Sequence, residues 1–429
     1  MCARILGAIL VAAMVSMTMT GCGGDGAKTA IARSELERTT DPGVTSAEAK
    51  ALQAGNAAFA TDLYRALAAE EGNVFFSPHS ISVALAMTYA GARGVTAEEM
   101  GKVLRFATLG DRVHAGFNGL DLELAKRPDV RLMEGEKGTP PELSIANSTW
   151  GDKGQEFLPA FLDVLALHYD AGMRLVDFNS EPEAAREAIN TWVEEKTKDR
   201  IKDLVPPGVI TNLTELVLAN AIYFKGSWAT PFDPAKTVKG SFHLLGGGTV
   251  QADLMHANVT ARYAEASGLQ AVELRYVGGE IAMVVLLPPD GRFDEFERAV
   301  DAAAIESLLA KLQESAVNLT LPRFTFESTF RLDKTLSTLG MPSAFEPGKA
   351  DFSGIDGTRE LFISAVLHKA FVAVDEKGTE AAAATAVVIG RTSLPQPATM
   401  TVDRPFVFLI RDIPTGAILF MGRVVDPTK

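Results

Sequence analysis

Near the C-terminus, between two stretches that read as core strands, lie about thirty residues that fit neither a strand nor an ordinary connection. They run VDEKGTEAAAATAVVIGRTSLPQPATMTVDRP from Val374 to Pro405. A loop that long inside a compact domain is uncommon, and where it occurs it usually carries function. Gly378 supplies a pivot, followed by Thr379, Glu380, Ala381, Ala382, Ala383, Ala384 and Thr385. Alanines in a row favour a helix intrinsically. This run leads directly into Val387, Val388 and Ile389, which favour a strand. In a strand, Thr379, Ala381, Ala383 and Thr385 share one face, and Glu380, Ala382 and Ala384 the other. Side chains that small let a segment slip between two existing strands with little steric resistance. The composition therefore permits a loop that becomes a strand.

The remaining pattern is helical early and extended late. Ala47 to Ala69 and Ser77 to Arg93 carry Ala, Leu and Met at helical spacing. Ser180-Glu181-Pro182-Glu183 predicts a helix start with a capping Ser and an early Pro. That helix carries Ile189, Trp192, Val193, Ile201 and Leu204 on one side and stops at Val205-Pro206-Pro207-Gly208. Residues 216–224 and 281–288 are short apolar runs, as expected of strands covered on both faces. Val317 to Leu321 alternates, Phe242 to Met255 reads as a hairpin around Gly246-Gly247-Gly248, and 405–410 and 417–425 are further core strands. This order implies an α+β architecture with large sheets. Ala125 to Pro141 reads as a surface loop, and no linker divides the chain after about Ala49, so residues 49–429 form one domain.

Composition narrows the function. The chain has 429 residues, 41 basic against 54 acidic side chains and a formal charge of −13. No basic run exists to neutralise phosphates, which disfavours nucleic acid as a partner. Both cysteines, Cys2 and Cys22, lie at the extreme N-terminus, leaving no disulfide framework and no zinc site. Arg4, the apolar stretch from Ile5 to about Met19 and the small residues after it read as a secretory signal over residues 1–21. That stretch is shorter than the roughly 20 residues a membrane-crossing helix needs. Met19-Thr20-Gly21-Cys22 resembles a bacterial lipoprotein box, with Met where Leu is usual. It implies lipid on Cys22, a flexible tether over 22–48, and a protein secreted and held to a bacterial cell envelope.

Enzyme motifs are missing. The sequence has no metalloprotease, phosphate-loop, Cys-x-x-Cys or nucleophile-elbow pattern. The histidines (79, 114, 168, 243, 256 and 368) lack metal-ligand spacing. Ser77 or Ser80 could meet His79 or His368 across the fold, an arrangement recognisable only from geometry. Neither a metal nor a cofactor is expected.

The 376–385 residues resemble the reactive-loop hinge of the serpins, and the resemblance extends along the chain. Asn73 to Ser82 (NVFFSPHSIS) is similar to that family's early helix motif, and Leu218 to Trp228 (LANAIYFKGSW) to its central signature. Leu321 to Phe324, His368 to Ala370, Asp403 to Phe406 and Phe420 to Arg423 follow in the family's order. The likeness implies three β-sheets, about nine helices and an exposed reactive loop over about 376–404. It further implies a monomeric suicide inhibitor of serine proteases and not an enzyme. A target protease cleaves the loop, is held as an acyl-enzyme, and is trapped when the loop inserts into the main sheet. The alternative is a non-inhibitory serpin-fold binding protein or chaperone. The resemblance assigns Glu376, Lys377, Gly378, Thr379, Glu380, Ala381, Ala382, Ala383, Ala384 and Thr385 to the hinge. It places Ser77, Pro78, Ser80, Asn220 and His368 in a polar cluster under the opening sheet. Trp228, Arg323 and Glu376 fall at the top of that sheet, with an Arg323–Glu376 pair holding the loop closed.

The bait bond stays open between neighbours. In the family, the residue before it usually stands sixteen after the hinge glutamate, which selects Thr392-Ser393 and an elastase-like or subtilisin-like target. One step earlier, Arg391-Thr392 suits a trypsin-like protease, whose pocket holds a carboxylate. Counting back from the C-terminal side favours Leu394.

Overall fold

The computed structural model describes residues 29–129, 132, 138–379 and 396–429. The expected signal sequence, Cys22, Glu380 to Thr385 and the residues of the bait bond lie outside the described residues.

Two hydrogen-bonded sheets dominate. The seven-stranded sheet runs, in spatial order, Ala30–Ala32, Met173–Val176, Glu142–Asp152, Leu216–Ser227, Gly378–Thr379, Ile363–Asp375 and Phe324–Arg331. The nine-stranded sheet runs Ala398–Thr401, Gln313–Pro322, Thr249–Ala266, Leu269–Arg275, Ile281–Leu287, Phe406–Asp412, Ile418–Val424 and Val74–Phe76. Its remaining strand, Val238–His243, pairs only with Thr249–Ala266. That 18-residue strand pairs with three partners along its length, so two of the three expected sheets are joined through it.

Ten α-helices lie among the described residues. The first, Ser46–Leu67, starts at Thr45, whose hydroxyl accepts the Glu48 amide while Glu48 returns a bond to the Thr45 amide. The pattern from Ser77 to Arg93 breaks sooner than expected. The helix is Pro78–Tyr89, and Gly94–Val103 begins a new one. Gly91 sits so close to Ile355 that a Cβ there would lie 2.1 Å from its Cγ1, which fixes the break. The helix expected after Ser180 is Pro182–Lys196, and its N-cap is Glu181 with no side-chain cap. Ser180 instead donates its amide to Asp177 Oδ1 at 2.7 Å. Ile201 and Leu204 lie beyond that helix, yet remain in one apolar cluster with Ile189 and Val193.

The core has three parts. One lies among the N-terminal helices. A second joins the two sheets, with Phe75 stacked between Phe420 at 5.0 Å and Phe408 at 5.6 Å. The third packs helix Pro182–Lys196 across the seven-stranded sheet, over Val217, Ala219, Ala221, Ala365 and Leu367. Three of those five sheet residues are alanines, so parting the strands beneath the helix uncovers little apolar area.

Candidate functional site

The centre of the seven-stranded sheet is a seam. Leu216–Ser227 and Ile363–Asp375 run parallel and pair directly from Leu216 opposite Ile363 up to Tyr223 opposite Phe371. Above that point a third strand separates them. Asp375 makes the reversal: its Oδ1 accepts the amides of Lys377 at 2.8 Å and Gly378 at 3.2 Å. A short acidic side chain bonding the backbone two residues on is a favoured way to turn a chain. The chain then re-enters the sheet as Gly378–Thr379, antiparallel to both neighbours. Gly378 lies opposite Asp375 and Ser227, and Thr379 opposite Val374 and Gly226.

Several groups hold this wedge. Thr379 is buried, with its hydroxyl 2.8 Å from the Tyr276 hydroxyl. The Tyr276 ring stacks on Trp228 at 4.6 Å. Trp228 donates from Nε1 to the Asp375 carbonyl at 3.0 Å and from its amide to the Lys377 carbonyl at 2.8 Å. The Phe232 amide donates to the Glu376 carbonyl at 2.8 Å. Glu376 is buried and accepts the Thr237 hydroxyl at 2.7 Å. Its other oxygen lies 3.6 Å from Arg323 Nε, and that arginine is about half exposed. The expected Arg323–Glu376 pair is thus an ion pair without a hydrogen bond, made across 3.6 Å to a buried carboxylate by a half-exposed arginine.

Gly378 has no substitute in this seat. Its φ is 153°, and a Cβ would stand 2.1 Å from the Gly226 carbonyl oxygen. Gly378→Ala is expected to expel the two-residue strand. Amide exchange across 376–379 should then quicken by at least about tenfold, because this end of the seam opens without global unfolding. Unchanged protection would show that the wedge is not seated by this contact.

Lower in the seam, one polar row crosses three strands. His368, Asn220 and Asn147 stand opposite one another on Ile363–Asp375, Leu216–Ser227 and Glu142–Asp152. His368 Nδ1 meets Asn220 Oδ1, and its Nε2 accepts the Ser77 amide at 3.1 Å. The Asn220 amide group donates to Asn147 Oδ1 and to the Ser80 hydroxyl, the latter at 2.6 Å. Ser80 donates its hydroxyl to Asn147 Oδ1 at 3.0 Å. Ser77 caps helix Pro78–Tyr89 by accepting the Ser80 amide, and donates its hydroxyl to the Leu419 carbonyl at 2.6 Å. Pro78 fills the first helical turn, where its missing N–H costs nothing. The structure therefore brings Ser77, Pro78, Ser80, Asn220 and His368 together and adds Asn147. An Asn inside the strand Glu142–Asp152 was the available signal for that sixth member.

This row is built to hold strands together. The His368 ring reaches Ser77 through the backbone amide and not the hydroxyl, and every member except the half-buried Asn147 is fully enclosed. Burial pushes the His368 imidazole down to about 3 and that of His79 to about 4, so both rings are neutral. No serine hydroxyl among these residues faces an imidazole, and among the described residues no cluster of His, Cys, Asp or Glu could hold a metal. The hydrolase arrangement that sequence alone left open is not formed.

Comparison with known proteins agrees with this geometry. The family model described as Serpin (serine protease inhibitor) matches residues 54–427. An uncharacterised serpin-like protein of Thermococcus kodakarensis is 41% identical over 372 residues, covering 86% of this chain and 84% of that protein. The leukocyte elastase inhibitor of Homo sapiens is 38% identical over 389 residues, covering 88% and 99%. The native-state crystal structure of the thermophilic serpin tengpin superposes with a TM-score of 0.79 at 27% identity, covering 93% of this chain and all of that one.

Proposed function

This chain belongs to the serpin family, whose members are protease inhibitors and not enzymes in the catalytic sense, and from that premise we propose that it is itself an inhibitory serpin. The observation that carries the reading is the seat of Gly378–Thr379, already antiparallel between the two parallel strands of the seam. Continued insertion along that line replaces one parallel ladder with two antiparallel ones. Antiparallel pairing is slightly the more stable per residue, and the incoming strand also adds its own backbone hydrogen bonds. The native form is then a sheet that has not completed its pairing.

In the proposed reaction, the catalytic serine of a target protease attacks the carbonyl of the bait residue. Its oxygen forms an ester to that carbonyl, and the amine of the next residue leaves with the C-terminal part of the loop. The freed N-terminal part then enters the seam and carries the attached protease with it. Insertion must outrun hydrolysis of the ester, so the loop residues facing the core must be small and uncharged. Thr379, Ala381, Ala383 and Thr385 meet that requirement by composition. Inhibitor-named relatives at about this similarity support the same reading.

The test is incubation with pancreatic elastase, subtilisin and trypsin. The expected product with at least one of them is a complex that survives denaturant. Mass spectrometry of the released C-terminal peptide would begin at Ser393 for a Thr392 bait, at Thr392 for Arg391, and at Pro395 for Leu394. Cleavage by all three without any complex, and without a rise in Tm of the cleaved protein, would replace this proposal with the non-inhibitory binding role.

The proposal extends to location. Residues 1–22 combine Arg4, an apolar stretch and a cysteine after Met19-Thr20-Gly21, the basis for a lipid on Cys22 and an extracytoplasmic place on a bacterial cell envelope. Several acyl chains on one cysteine anchor durably. Expressed from its own gene, the protein should sediment with membranes, and Cys22→Ala should release most of it to the soluble fraction. Wild-type protein found wholly soluble refutes the anchor.

A further inference from the structure

We propose that the segment from Ala30 to Thr45 is a strap that resists opening of the seam. It lies inside the stretch 22–48, which reads in sequence as a flexible tether, yet from Ala30 onward it is docked on the fold. Ala30–Ala32 adds an antiparallel edge strand to the seven-stranded sheet, with Ala30 opposite Leu175, Ile31 opposite Arg174 and Ala32 opposite Met173. Gly172 makes room for it: a Cβ there would stand 2.5 Å from the Ala32 carbonyl oxygen.

Beyond the sheet, the segment crosses from one helix to the next. Arg33 pairs with Asp170, the Ser34 hydroxyl donates to Asp163 at 2.5 Å, and the Thr39 amide donates to the Leu167 carbonyl at 3.0 Å. These three partners lie on or just after helix Pro159–Tyr169. Arg38 reaches the neighbouring helix Arg112–Leu124, donating from Nε to Asn118 Oδ1 at 2.7 Å and pairing with Asp121 at 2.7 Å. Asn118 is fully buried and returns a bond to the Thr39 carbonyl at 2.8 Å. Pro42 and Val44 then lie over Gly119, and Thr45 caps helix Ser46–Leu67. Fixing a residue costs about 1–2 kcal/mol of backbone entropy, so a segment stays docked only where such contacts offset that cost.

The strap spans the boundary along which the seam must shear. Ala30–Ala32, Met173–Val176, Glu142–Asp152 and Leu216–Ser227 lie on one side of the seam, and Ile363–Asp375 and Phe324–Arg331 on the other. Helix Pro159–Tyr169 connects two strands of the first group along the chain. Helix Arg112–Leu124 packs on Ser46–Leu67, which in turn packs on Ile418–Val424 of the nine-stranded sheet. Widening the seam carries the first group of strands outward, away from helices held by the other sheet. A strap bonded to both must give up bonds on one side or the other. Its effect on protease trapping rests on the inhibitory reading; its effect on the seam does not.

The experiment compares the full chain with two variants that undock the strap from opposite sides. Gly172→Ala pushes Ala30–Ala32 off the sheet edge without altering the strap, and Arg38→Ala removes the bonds to Asn118 and Asp121. Release is scored by trypsin cleavage after Arg33, read on the N-terminal fragment by mass spectrometry, and should quicken at least about tenfold in both. Amide exchange along 216–223 and 363–371 should quicken about tenfold as well, with exchange inside Ser46–Leu67 unchanged. Glu35→Ala, in the exposed stretch between the two arginines, should change neither readout. A strap released by the trypsin criterion while exchange in the seam stays at the wild-type rate overturns the proposal. So does a strap that remains docked in Gly172→Ala. Neither readout involves trapping, so failure here and failure of protease inhibition are separate results.

Discussion

On the proposed inhibitory mechanism, the protein with arginine in place of Ala383 is expected to be cleaved by a protease that the wild type traps, without retaining it. The buried hydroxyl of Thr379, against Tyr276, marks which face of the entering strand turns toward the core. Ala383 lies outside the described residues, but it stands four positions on, and strand alternation returns it to the face of Thr379. An arginine there must leave water for the layer between the sheets, where Phe224, Trp228 and Tyr276 are fully buried. Desolvating an unpaired guanidinium costs at least several kcal/mol. If even about 3 kcal/mol of that appears in the barrier to insertion, the rate falls more than a hundredfold. Hydrolysis of the acyl-enzyme then wins. The measurement is the number of inhibitor molecules consumed per protease inactivated, which should rise by at least about tenfold while the rate of loop cleavage is unchanged. Ala382→Arg is the matched control, since it shares the face of Glu380 and that face already accepts a charge in the sequence. Equal loss of trapping in both variants would mean that bulk or helix propensity decides the outcome, and not the buried face.

Much of this site is legible in the sequence alone, for reasons that differ by element. The apolar runs at 216–224 and 281–288 became the strands Leu216–Ser227 and Ile281–Leu287 because a continuous apolar run has no face to give to water. The hairpin around Gly246-Gly247-Gly248 formed as read, between Val238–His243 and Thr249–Ala266. Local signals misled where a tertiary contact took their place. The helix after Ser180 starts one residue later than the capping Ser implies, with Glu181 at its N-cap and the Ser180 amide turned to Asp177. The helix after Ser77 stopped at Tyr89 because Gly91 packs on Ile355 from a distant part of the chain. Asn147 joined the polar row only through its register opposite Asn220. Gly378 read as a pivot, and the structure gives it a second property, a seat so tight that no side chain fits. That property depends on Gly226 across the strand pair, and no window around residue 378 contains Gly226.

Acidification should weaken the seam well before the carboxylates titrate. His368 is neutral in the folded protein, with Nδ1–H donating to Asn220 and Nε2 accepting from the Ser77 amide. A proton on Nε2 would set N–H against N–H in a fully buried site. Burial accordingly pushes the ring down to about 3. It also pushes His79 and His114 to about 4, and lowers His168. In the unfolded chain these rings titrate near 6.5. The unfolded state therefore takes up protons first as pH falls, and stability depends on pH in one direction. It is fully present above about pH 6.5 and is lost progressively as pH falls toward 4. Each such ring contributes a slope of up to about 1.4 kcal/mol per pH unit inside that window. Tm should be nearly flat above pH 7 and fall steeply between about pH 6 and 5, a range in which ordinary Asp and Glu side chains remain ionised. His368→Gln should lower Tm at pH 7, because it breaks the row, and should also flatten the slope by about one proton's worth. A variant with the wild-type slope would remove His368 from the effect and leave His79 and His114 as its source. The row crosses the strands that part in the proposed insertion. In the wild type, amide exchange along 216–227 and 363–375 should therefore quicken on acidification before the rest of the sheet does. An inhibitor that opens its own sheet more readily in acid would also lose its trapping capacity faster there on storage.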